Sequence, residues 1–339
     1  MKDFPLVTIV ILNYNGKEYI ENNLPYLFEL TYPNIKITVI DNASTDNTIE
    51  WLKYHYPSVS IVLNEKNAGF AQGYNIGLRN IKSDYYLLLN TDVEVTPNLL
   101  EPMIKLLEDD EKNAVCQPKI LSYLDRSSFE YAGAAGGMLD KLGYPFARGR
   151  LFFTCEIDSN QYDDDIEIFW ASGACFLVKA KCFWEANGFY EYYFMQHEET
   201  DLCWRLKLKG YKILYSGKSH IYHVGGAHLS YEDPKKNFLN FRNNWIMNYR
   251  NMPNQYFWFY VFPIRTIFDI LASFYFLFRF NLNVFLTIYK AHFEFYKWLL
   301  NIGIKQKTDT VQFLKLTAVH NRFIVLDYFL KRKKKFKDL

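Results

Sequence analysis

Short apolar segments alternate with helix-like segments over about the first ninety residues of this chain. The apolar segments cover residues 7–12, 35–40, 59–63 and 85–89. Continuous apolar runs of this length are typical of strands that are buried on both faces. Strands that alternate with helices form βαβ units, and these units build a parallel sheet covered by helices. The sequence therefore predicts an α/β fold.

Helices are predicted between these strands and again in the middle of the chain. They cover about residues 17–30 and 48–56, a segment that follows a turn at 67–73 and ends at Leu78, and residues 198–209. The last of them should stop at Gly210, because glycine is favoured just past a helix end. Residues 115–161 are predicted to be rich in loops, since five glycines interrupt them, and residues 211–215 to form a short strand.

Polar side chains follow three of the predicted strands. Asn13, Asp41 and Asp92 each lie at or just past the carboxyl end of a different strand. In open α/β sheets, ligands bind in the crevice beyond these ends. The sequence therefore predicts that the three side chains converge on one ligand site.

Composition limits the class of protein. Hydrophobic residues make up 50% of the chain, which is enough for a sizeable core. The net charge of +2 gives no argument for a nucleic acid partner, and none is predicted. Residues 331–337 form a basic block that suits either a solvated tail or an anionic surface. The five cysteines show no CxxC spacing, as is usual for reduced core thiols of a cytosolic protein.

The sequence predicts neither a signal peptide nor a membrane-spanning helix. Pro5, Asn13 and Asn15 interrupt the apolar core that a signal peptide would need. Apolar runs also fall short of the ~18 residues of a spanning helix. Charged residues such as Arg265 and Asp269 interrupt the longest candidates.

The composition changes near Pro253. Residues 256–300 are dense in Phe, Tyr, Trp and Leu, with scattered Arg and Lys. We therefore expect an α/β domain over residues 1–250 and a helical, aromatic-rich region with a basic tail over residues 251–339. One to three helices of this second region are predicted to associate with a membrane surface. The alternatives are an oligomer interface or a lid packed on the first domain.

Four ordered motifs resemble those of a known family. They are residues 7–15 (VTIVILNYN), 40–46 (IDNASTD), 67–71 (NAGFA) and 89–92 (LNTD). Together they resemble glycosyltransferase family 2 over about residues 6–250, and most closely its rhamnosyltransferase-like branch of cell-surface polysaccharide synthesis. The resemblance implies the GT-A fold of nucleotide-diphospho-sugar transferases, with a Rossmann-like mixed sheet. Because the Gln-x-x-Arg-Trp signature of processive synthases does not occur in the sequence, we expect one sugar to be added per encounter.

The resemblance implies donor-binding roles. Asp41 would accept the N3–H of uracil or thymine, and Asn13 and Asn67 would flank the base and ribose. In the plainer interpretation, residues 41–44 form only a turn before a helix cap. The full set of implied nucleotide- and donor-binding residues is Asn13, Asn15, Asp41, Asn67, Gly69, Gly73, Asn90, Thr91, Gly173 and Arg242.

Two members of this set come from later motifs. Gly173 lies in residues 170–174, beside the donor sugar by resemblance, where a glycine lets the backbone approach a ligand closely. It could equally mark a bulge. Arg242 could reach the diphosphate.

The metal motif of the family is Asp-x-Asp, and residues 90–92 read Asn-Thr-Asp, so the first carboxylate is missing. Asp92 would hold a divalent ion, Mn²⁺ or Mg²⁺, that stabilises the diphosphate as the glycosidic bond breaks. By resemblance His223 would complete this site, and imidazole favours Mn²⁺. His220 and His228 are alternatives, and His223 could also be a hydrogen-bonded structural residue.

Residues 194–205 resemble the acidic pair of the family followed by Asp-Leu-x-x-Arg. By this resemblance Glu199 takes the place of the catalytic Asp, and Glu198 is the second candidate. Such a base deprotonates the acceptor hydroxyl as it attacks the anomeric carbon. The alternative is an acidic helix start favoured by the helix dipole. Asp201 and Arg205 are four residues apart and are expected to form a structural ion pair.

The sequence thus predicts an inverting glycosyltransferase. It would move one sugar, such as rhamnose or another hexose or deoxyhexose, from a UDP- or dTDP-sugar to a cell-surface glycan or lipid-linked acceptor. We expect it in the cytoplasm, peripheral on the inner face of the cell membrane, where it could form oligomers.

Two other classes stay open. A sugar-nucleotide nucleotidyltransferase also uses a strand-end Asp and a metal, but residues 13–17 lack the Gly-rich, basic loop of that class. A degenerate, membrane-bound scaffold that binds nucleotide sugars is kept open by the missing first Asp and by Glu199.

Overall fold

The computed structural model of this protein describes residues 4–225, 233–305 and 313–339. The strands are β1 (Val7–Asn13), β2 (Ile35–Asp41), β3 (Ser60–Leu63), β4 (Tyr85–Leu89), β5 (Val93–Val95), β6 (Asn113–Ser122), β7 (Gly137–Asp140), β8 (Pro145–Ala147), β9 (Arg150–Leu151), β10 (Thr154–Cys155), β11 (Asp165–Ile168), β12 (Cys175–Lys179), β13 (Lys212–His223) and β14 (Val319–His320).

The helices are α1 (Lys17–Leu27), α2 (Thr48–His55), α3 (Gly69–Leu78), α4 (Leu100–Glu108), α5 (Ala180–Glu185), α6 (Glu198–Leu208), α7 (Pro234–Asn251), α8 (Asn254–Tyr256), α9 (Phe262–Phe278), α10 (Leu282–Asn301) and α11 (Ile324–Phe329). A π-helical segment, Phe257–Val261, joins α8 to α9. Short 3₁₀ turns are Glu191–Tyr193, Phe313–Lys315 and Phe336–Asp338.

Among the described residues, nine strands form the main sheet. Their order is β11-β13-β6-β12-β4-β1-β2-β3, with β5 paired to β13. β1 runs parallel to β2 and β4, and β2 runs parallel to β3, as the βαβ pattern predicts. β12 is antiparallel to both β4 and β6, so the sheet is mixed. The predicted α/β fold with a Rossmann-like mixed sheet is therefore confirmed.

Helices cover both faces of this sheet. On one face, α1 and α4 bury residues such as Leu24 and Leu107. On the other face, α3, α6 and α7 bury Tyr74, Trp204 and Trp245. Removing these side chains from water is the main favourable contribution to folding. The two apolar layers hold the strands between them and leave the carboxyl ends of β1, β2 and β4 along one edge.

The prediction that residues 115–161 are mostly loop is wrong for their first part. β6 is a ten-residue strand inside the main sheet. The polar residues Gln117 and Lys119 interrupt its apolar pattern, but both are buried with partners. Gln117 donates to the carbonyl of Gly133 at 3.2 Å, and Lys119 pairs with Asp158 at 2.8 Å. A polar side chain can occupy a central strand when such partners exist, and the local pattern does not reveal them.

The strand predicted over residues 211–215 is also longer than expected. β13 continues to His223 because a register shift against β6, between Ser216 and His220, carries it past a polar stretch. Irregularities of this kind insert extra residues without ending a strand. The far end of β13 therefore reaches β5, where His223 lies opposite Val93.

Helix ends differ from prediction by a few residues. α1 ends at Leu27 rather than at residue 30, and α3 begins at Gly69, inside the predicted turn. α6 ends one residue early and is followed by Gly210 at a φ of +87°, as predicted. The predicted ion pair between Asp201 and Arg205 is present at 2.7 Å and is buried.

A second, smaller sheet joins distant parts of the chain. Its order is β10-β9-β8-β7-β14, and β14 comes from residues 319–320. Asp140, at the end of β7, is buried and accepts the backbone N–H of Ile324 at 3.1 Å. Burial outweighs its hydrogen bonds and raises the pKa of Asp140 to about 6. The C-terminal segment therefore packs into a core built by residues 137–155, and the division near residue 250 stays a prediction.

Four of the five cysteines are buried free thiols, as predicted. They are Cys116, Cys175, Cys182 and Cys203. Cys155 is exposed, so the prediction of a core thiol is wrong there. It lies on β10, at the edge of the smaller sheet, where one side of the strand has no neighbouring strand among the described residues.

The prediction that no segment is long and apolar enough to span a membrane is wrong for residues 254–278. This continuous helix is long and apolar enough by length and composition, with a mean hydropathy of 1.6, and 22% of its apolar window is buried. Arg265 and Asp269 do not interrupt its outer surface, because both side chains are buried against the body of the protein. One such helix is weak evidence by itself, since a core helix can pass the same test.

Asp201 provides a test of the buried ion pairs. Its carboxylate contacts Arg205, Arg250 at 3.6 Å and Asn251 at 2.8 Å. Although burial opposes the charge, Arg250 and Arg205 hold the pKa of Asp201 below its usual value. Asp201→Ala should lower the free energy of unfolding by about 3–5 kcal/mol, because two buried cations lose their partner.

Urea unfolding followed by circular dichroism measures this change. Lys181→Ala is the control, because Lys181 pairs with Glu185 at 3.7 Å on the exposed surface, and it should leave the unfolding midpoint unchanged. Equal midpoints for Asp201→Ala and the wild-type chain would contradict the assignment.

Candidate active site

The ends of β1 and β2 are joined by a buried polar network. Asn13 lies opposite Asp41 in the parallel register, and both are almost fully buried. The Asn13 amide donates to Asp41 Oδ1 and to Ser44 Oγ, each at 3.0 Å. Asp41 Oδ2 accepts the Ser44 N–H at 2.9 Å, and Asn15 Oδ1 accepts the Thr45 N–H at 2.7 Å. The structure therefore brings the three predicted residues Asn13, Asn15 and Asp41 together at one edge of the sheet.

Asn42 organises the next part of this edge and was not predicted. It is buried, and its amide donates to Asn67 Oδ1 at 3.1 Å and to the carbonyl of Gly69 at 3.0 Å. A Cβ on Gly73 would lie 3.0 Å from the Asn42 amide, so glycine lets α3 pack against this side chain. Asn67, Gly69 and Gly73 therefore form one connected loop and helix start around Asn42. The only sequence signal for Asn42 was its place one residue after Asp41.

The segment after β4 lies beside the β1 end. A Cβ on Gly16 would touch both Asn13 Oδ1 at 2.7 Å and the Thr91 side chain at 3.5 Å. The Asn90 N–H donates to the carbonyl of Ala174 at 3.0 Å. Thr91 is buried, and its carbonyl accepts the Asn23 amide at 3.0 Å. Residues 90–92 thus connect the network of Asn13 and Asp41 to the strand start that follows Gly173.

His223 lies between two carboxylates. The pairing of β13 with β5 places it opposite Val93 and next to Asp92. His223 Nε2 is 3.2 Å from Asp92 Oδ1, and His223 Nδ1 is 3.1 Å from Glu130 Oε2. Burial alone would lower the pKa of His223, but Asp92 and Glu130 outweigh it and raise this pKa to about 10. The predicted pair Asp92 and His223 is thus brought together.

Glu130 was missed by the sequence analysis. It lies in the segment predicted to be loop-rich, within no recognisable motif, and the sequence offers no signal for it. It is buried, and it reaches His223 because the isolated bridge between Leu121 and Phe129 folds the segment back on β6.

The two other candidate histidines do not reach this position. His220 is three residues from His223 on β13 and so points to the other face of the strand. Burial, with the charge of Lys119, lowers the pKa of His220. His228 lies outside the described residues. Within the described part of the chain, no group of three or more His, Cys, Asp or Glu side chains is arranged to hold a metal ion by itself.

The loop before the acidic pair has a strained backbone. Phe194, Gln196 and His197 have φ values of 65°, 73° and 72°, a conformation that costs energy in residues other than glycine. Phe194 is the centre of a γ-turn of the rare type with positive φ, in which the Met195 N–H donates to the Tyr193 carbonyl at 2.8 Å. Such strain persists only where surrounding contacts hold it.

Asn243 on α7 supplies these contacts, and it too was missed. It is fully buried, and its amide donates to the carbonyls of Tyr193 at 3.0 Å and of Met195 and Gln196 at 2.8 Å. A lone asparagine in a helix gives no sequence signal for such a role. Arg242, predicted for diphosphate contact, donates to the carbonyls of Tyr192 and Tyr193, each at 3.2 Å. The structure thus holds its guanidinium on this loop.

The same loop is also held by α3. The Phe194 carbonyl accepts the N–H groups of Phe70 at 2.6 Å and Ala71 at 3.1 Å, in the first turn of α3. A Cβ on Gly69 would lie 2.5 Å from Phe194, so this approach requires glycine, whose φ is +74°. The loop before the acidic pair therefore rests on α3 and α7 at once.

Glu198 and Glu199 begin α6 directly after this loop. Burial, and then the charge of Glu199, hold the pKa of Glu198 well above its usual value. Burial raises the pKa of Glu199 to about 7. Oε2 of each side chain has no hydrogen-bond partner among the described residues. A Cβ on Gly173 would lie 3.9 Å from Glu199 Cδ, so the backbone of that predicted residue faces the acid.

These contacts form a continuous rim. It runs from Asp41 and Asn13 through residues 90–92 to Gly173 and Glu199. One end carries the amide and carboxylate network, the middle carries Asp92 and His223, and the far end carries a carboxyl group that loses its proton near neutral pH. This rim can bind a nucleotide, hold a cation and accept a proton within one edge of the sheet.

Comparison with known proteins identifies the family of the chain. The sequence profile of Glycosyl transferase family 2 matches residues 8–185, which is more than half of the chain. An uncharacterized glycosyltransferase of Haemophilus influenzae is 30% identical over 114 residues, which are 33% of this chain and 35% of that protein. The match thus spans about a third of that relative.

A longer match is to the N-acetylglucosaminyl-diphospho-decaprenol L-rhamnosyltransferase of Mycobacterium tuberculosis. It is 25% identical over 247 residues, which cover 68% of this chain and 79% of that protein.

Two solved structures have a similar fold. GalNAc-T7 with UDP, GalNAc and Mn²⁺ has a TM-score of 0.53 at 18% identity, over 65% of this chain and 43% of that one. The mannosyltransferase of Pyrobaculum calidifontis with GDP-Man and Mn²⁺ has a TM-score of 0.51 at 14% identity, over 86% and 74% of the two chains. At such identities the likeness shows the fold alone.

The position of Glu130 generates a prediction for metal-free protein. Glu130→Gln should lower the pKa of His223 from about 10 by roughly one unit or more, because the imidazolium loses one of its two carboxylate partners. Two-dimensional ¹H–¹⁵N NMR of the imidazole nitrogens across a pH titration measures this value. The pKa of His220 should stay unchanged as an internal control. An unaltered His223 titration would show that Glu130 does not contribute.

Proposed function

This chain belongs to glycosyl transferase family 2 and has the GT-A fold, and from that premise we propose that it is an inverting glycosyltransferase that adds one sugar per encounter. The observation that carries the proposal is the shared rim, which unites Asp41, the Asp92–His223 pair and Glu199. A donor, a cation and a base are the three things that such a transfer needs, and each has a chemically suitable group there.

We propose a pyrimidine nucleotide at the β1–β2 end of the rim. Asp41 keeps lone pairs beyond those used by Asn13 and Ser44, so it can accept the N3–H of uracil or thymine. Asn13 and Asn67 would flank the base and ribose. The donor is then a UDP- or dTDP-sugar, and the similarity to a rhamnosyltransferase favours a deoxyhexose such as rhamnose.

The Asp92–His223 pair has the dimensions of two ligands to one cation. Two ligand atoms each ~2.1 Å from an ion and at right angles lie ~3 Å apart, close to the 3.2 Å between His223 Nε2 and Asp92 Oδ1. Glu130 on the other imidazole nitrogen orients the ring, as partners of metal-bound histidines commonly do. Bound there, Mn²⁺, or less favourably Mg²⁺, would neutralise charge on the departing diphosphate, whose oxygens would complete the ligand set with water.

Glu199 is the proposed base. Its raised pKa suits a group that must be ionised near neutral pH and still bind a proton well. Burial, and then the charge of Glu199, raise the pKa of Glu198, which favours Glu199 as the ionised member of the pair. Glu199 would take the proton of the acceptor hydroxyl as the hydroxyl oxygen attacks the anomeric carbon from the face opposite the diphosphate.

We further propose that the acceptor is a glycan or a lipid-linked sugar handled at the cytoplasmic face of the cell membrane. The similarity to an enzyme named for a diphospho-decaprenol acceptor supports a lipid-linked acceptor. In this proposal residues 1–250 are the catalytic domain, and residues 251–339 serve membrane association.

A panel of sugar nucleotides with Mn²⁺ tests the function. We expect release of UDP or dTDP from one donor, and a loss of about a hundredfold or more in turnover for both Glu199→Gln and Asp92→Ala. Glu199→Gln should keep the affinity for the nucleotide, whereas Asp92→Ala should lose its Mn²⁺-dependent part. Glu29→Gln, an exposed carboxylate, is the control. Nucleotide binding without any turnover in the wild-type chain would favour a scaffold instead.

The raised pKa of Glu199 predicts the pH profile. At saturating Mn²⁺, kcat/KM should rise with pH along an acid limb centred near 7, because the base is protonated and inactive below its pKa. Steady-state rates between pH 3.5 and 9 measure this limb. A limb centred near the ordinary glutamate value of about 4.3 would exclude a buried Glu199 as the base.

A further inference from the structure

The polarity of α9 is inverted relative to a helix on a water-facing surface. Its buried residues are Arg265, Asp269 and Ser273, which repeat every four positions along one stripe. The side chains on its exposed face are apolar or aromatic: Pro263, Ile267, Ile270, Leu271, Phe274, Tyr275 and Phe278. Surface helices of globular proteins show the opposite arrangement. An exposed apolar face of this extent marks contact with an apolar partner or medium.

The buried polar residues fix this orientation. Asp269 accepts the indole N–H of Trp245 at 2.9 Å and contacts His292 at 2.8 Å. Arg265 lies 3.8 Å from the centre of the Tyr144 ring. Rotating α9 to bury its apolar face would break these contacts and leave charged groups without partners, which is costly. These buried contacts therefore keep the apolar face of α9 directed outward.

The turn between α9 and α10 projects from the body. Each residue from 274 to 283 is exposed or half-buried. Phe278 is 80% exposed, Phe280 is 98% exposed and Leu282 is 54% exposed. A flat protein partner covers one side of such a tip, whereas a fluid apolar medium covers all sides. We call residues 270–289 the hairpin tip.

Positive charge lies where it would meet lipid headgroups. Lys290 follows the hairpin tip on α10 and lies about 12 Å along the helix from Leu282, at ~1.5 Å per residue. Lys290 and Lys297 are exposed on α10. Amphipathic elements typically enter a bilayer by ~5–10 Å, which would bring Lys290 to the level of anionic headgroups.

We propose that the hairpin tip inserts its aromatic side chains into the outer acyl region of an anionic bilayer, with the exposed Arg279 reaching back to the headgroups, and docks the enzyme there without crossing the membrane. The base of the hairpin stays with the body, since Phe257, Val261 and Phe295 are buried in the main core. The proposal rests on the proposed function in one respect, because a lipid-linked acceptor explains why the rim must be held at a membrane. The occupant of the apolar face is lipid.

Vesicle sedimentation of the full chain tests this docking. Vesicles of phosphatidylcholine with phosphatidylglycerol should bind the wild-type chain, and Phe278→Ser with Phe280→Ser should weaken binding by at least about tenfold, because two aromatic side chains no longer leave water. The matched control is Tyr54→Ser with Leu124→Ser, two side chains that are 81% and 83% exposed elsewhere on the chain. This control should bind as the wild type does.

A fluorescence measurement reports the depth of the tip. Relative to the wild-type chain with its seven tryptophans, Phe280→Trp should add emission that is quenched by lipids brominated on their acyl chains, whereas the emission added by Leu124→Trp should not be quenched. Vesicle binding that the tip variant leaves unchanged would overturn the proposal. The proposal would also be overturned if the wild-type chain did not bind vesicles and instead formed a dimer. In that case light scattering would show that the tip variant no longer dimerises.

The catalytic proposal and the docking proposal can be tested independently of each other. The tip variant should release nucleotide from the soluble donor at the wild-type rate. Glu199→Gln should bind vesicles at full strength without turnover. A tip variant that has lost nucleotide release in solution would count against docking as the role of the tip, because these residues would then be needed by the rim itself.

Discussion

Parallel pairing of β1 with β2 and β4 is the constraint on which the rim depends, because it aligns three strand ends at one edge of the sheet. A slip of one residue would turn Asn13 or Asp41 toward the opposite face, since side chains alternate along a strand. The buried hydrogen bond between Asn13 and Asp41 stabilises the observed register. The antiparallel return of β13 against β5 then adds His223 beside Asp92, although the two residues are far apart in the chain.

The loop before Glu198 shows how strain is held at the rim. Backbone conformations such as those of Phe194, Gln196 and His197 cost about 1–3 kcal/mol each in ordinary residues. Asn243 and the first turn of α3 offset this cost with buried hydrogen bonds to the loop carbonyls, each worth about 1 kcal/mol. The acidic pair therefore depends on α3, which also carries Gly69 and Gly73, so the Asn42 network and the acidic pair share one support.

The C-terminal region distributes its polar and apolar side chains differently from the main sheet. In the main sheet, most inward-facing side chains are apolar, and the polar residues Asn13 and Asp41 lie at strand ends. In α9 the polar residues face inward, where Trp245 and Tyr144 receive them, and the apolar residues face outward. Buried polar groups are stable only with such partners. Aromatic side chains therefore have two different roles here. Trp245 and Tyr144 contact the buried Asp269 and Arg265, whereas Phe278 and Phe280 are exposed at the hairpin tip.

The sequence by itself determined the βαβ order, the strand ends that carry Asn13, Asp41 and Asp92, and the start of α6 at Glu198, because apolar periodicity and polar strand ends are local signals. The tertiary structure decided what no local pattern carries. It turned residues 113–122 into a central strand by giving Gln117 and Lys119 buried partners. It brought Glu130 to His223, Asn243 to the strained loop and Arg265 into the core. Each of these depends on contacts between segments distant in the chain, which are formed only when the whole fold closes.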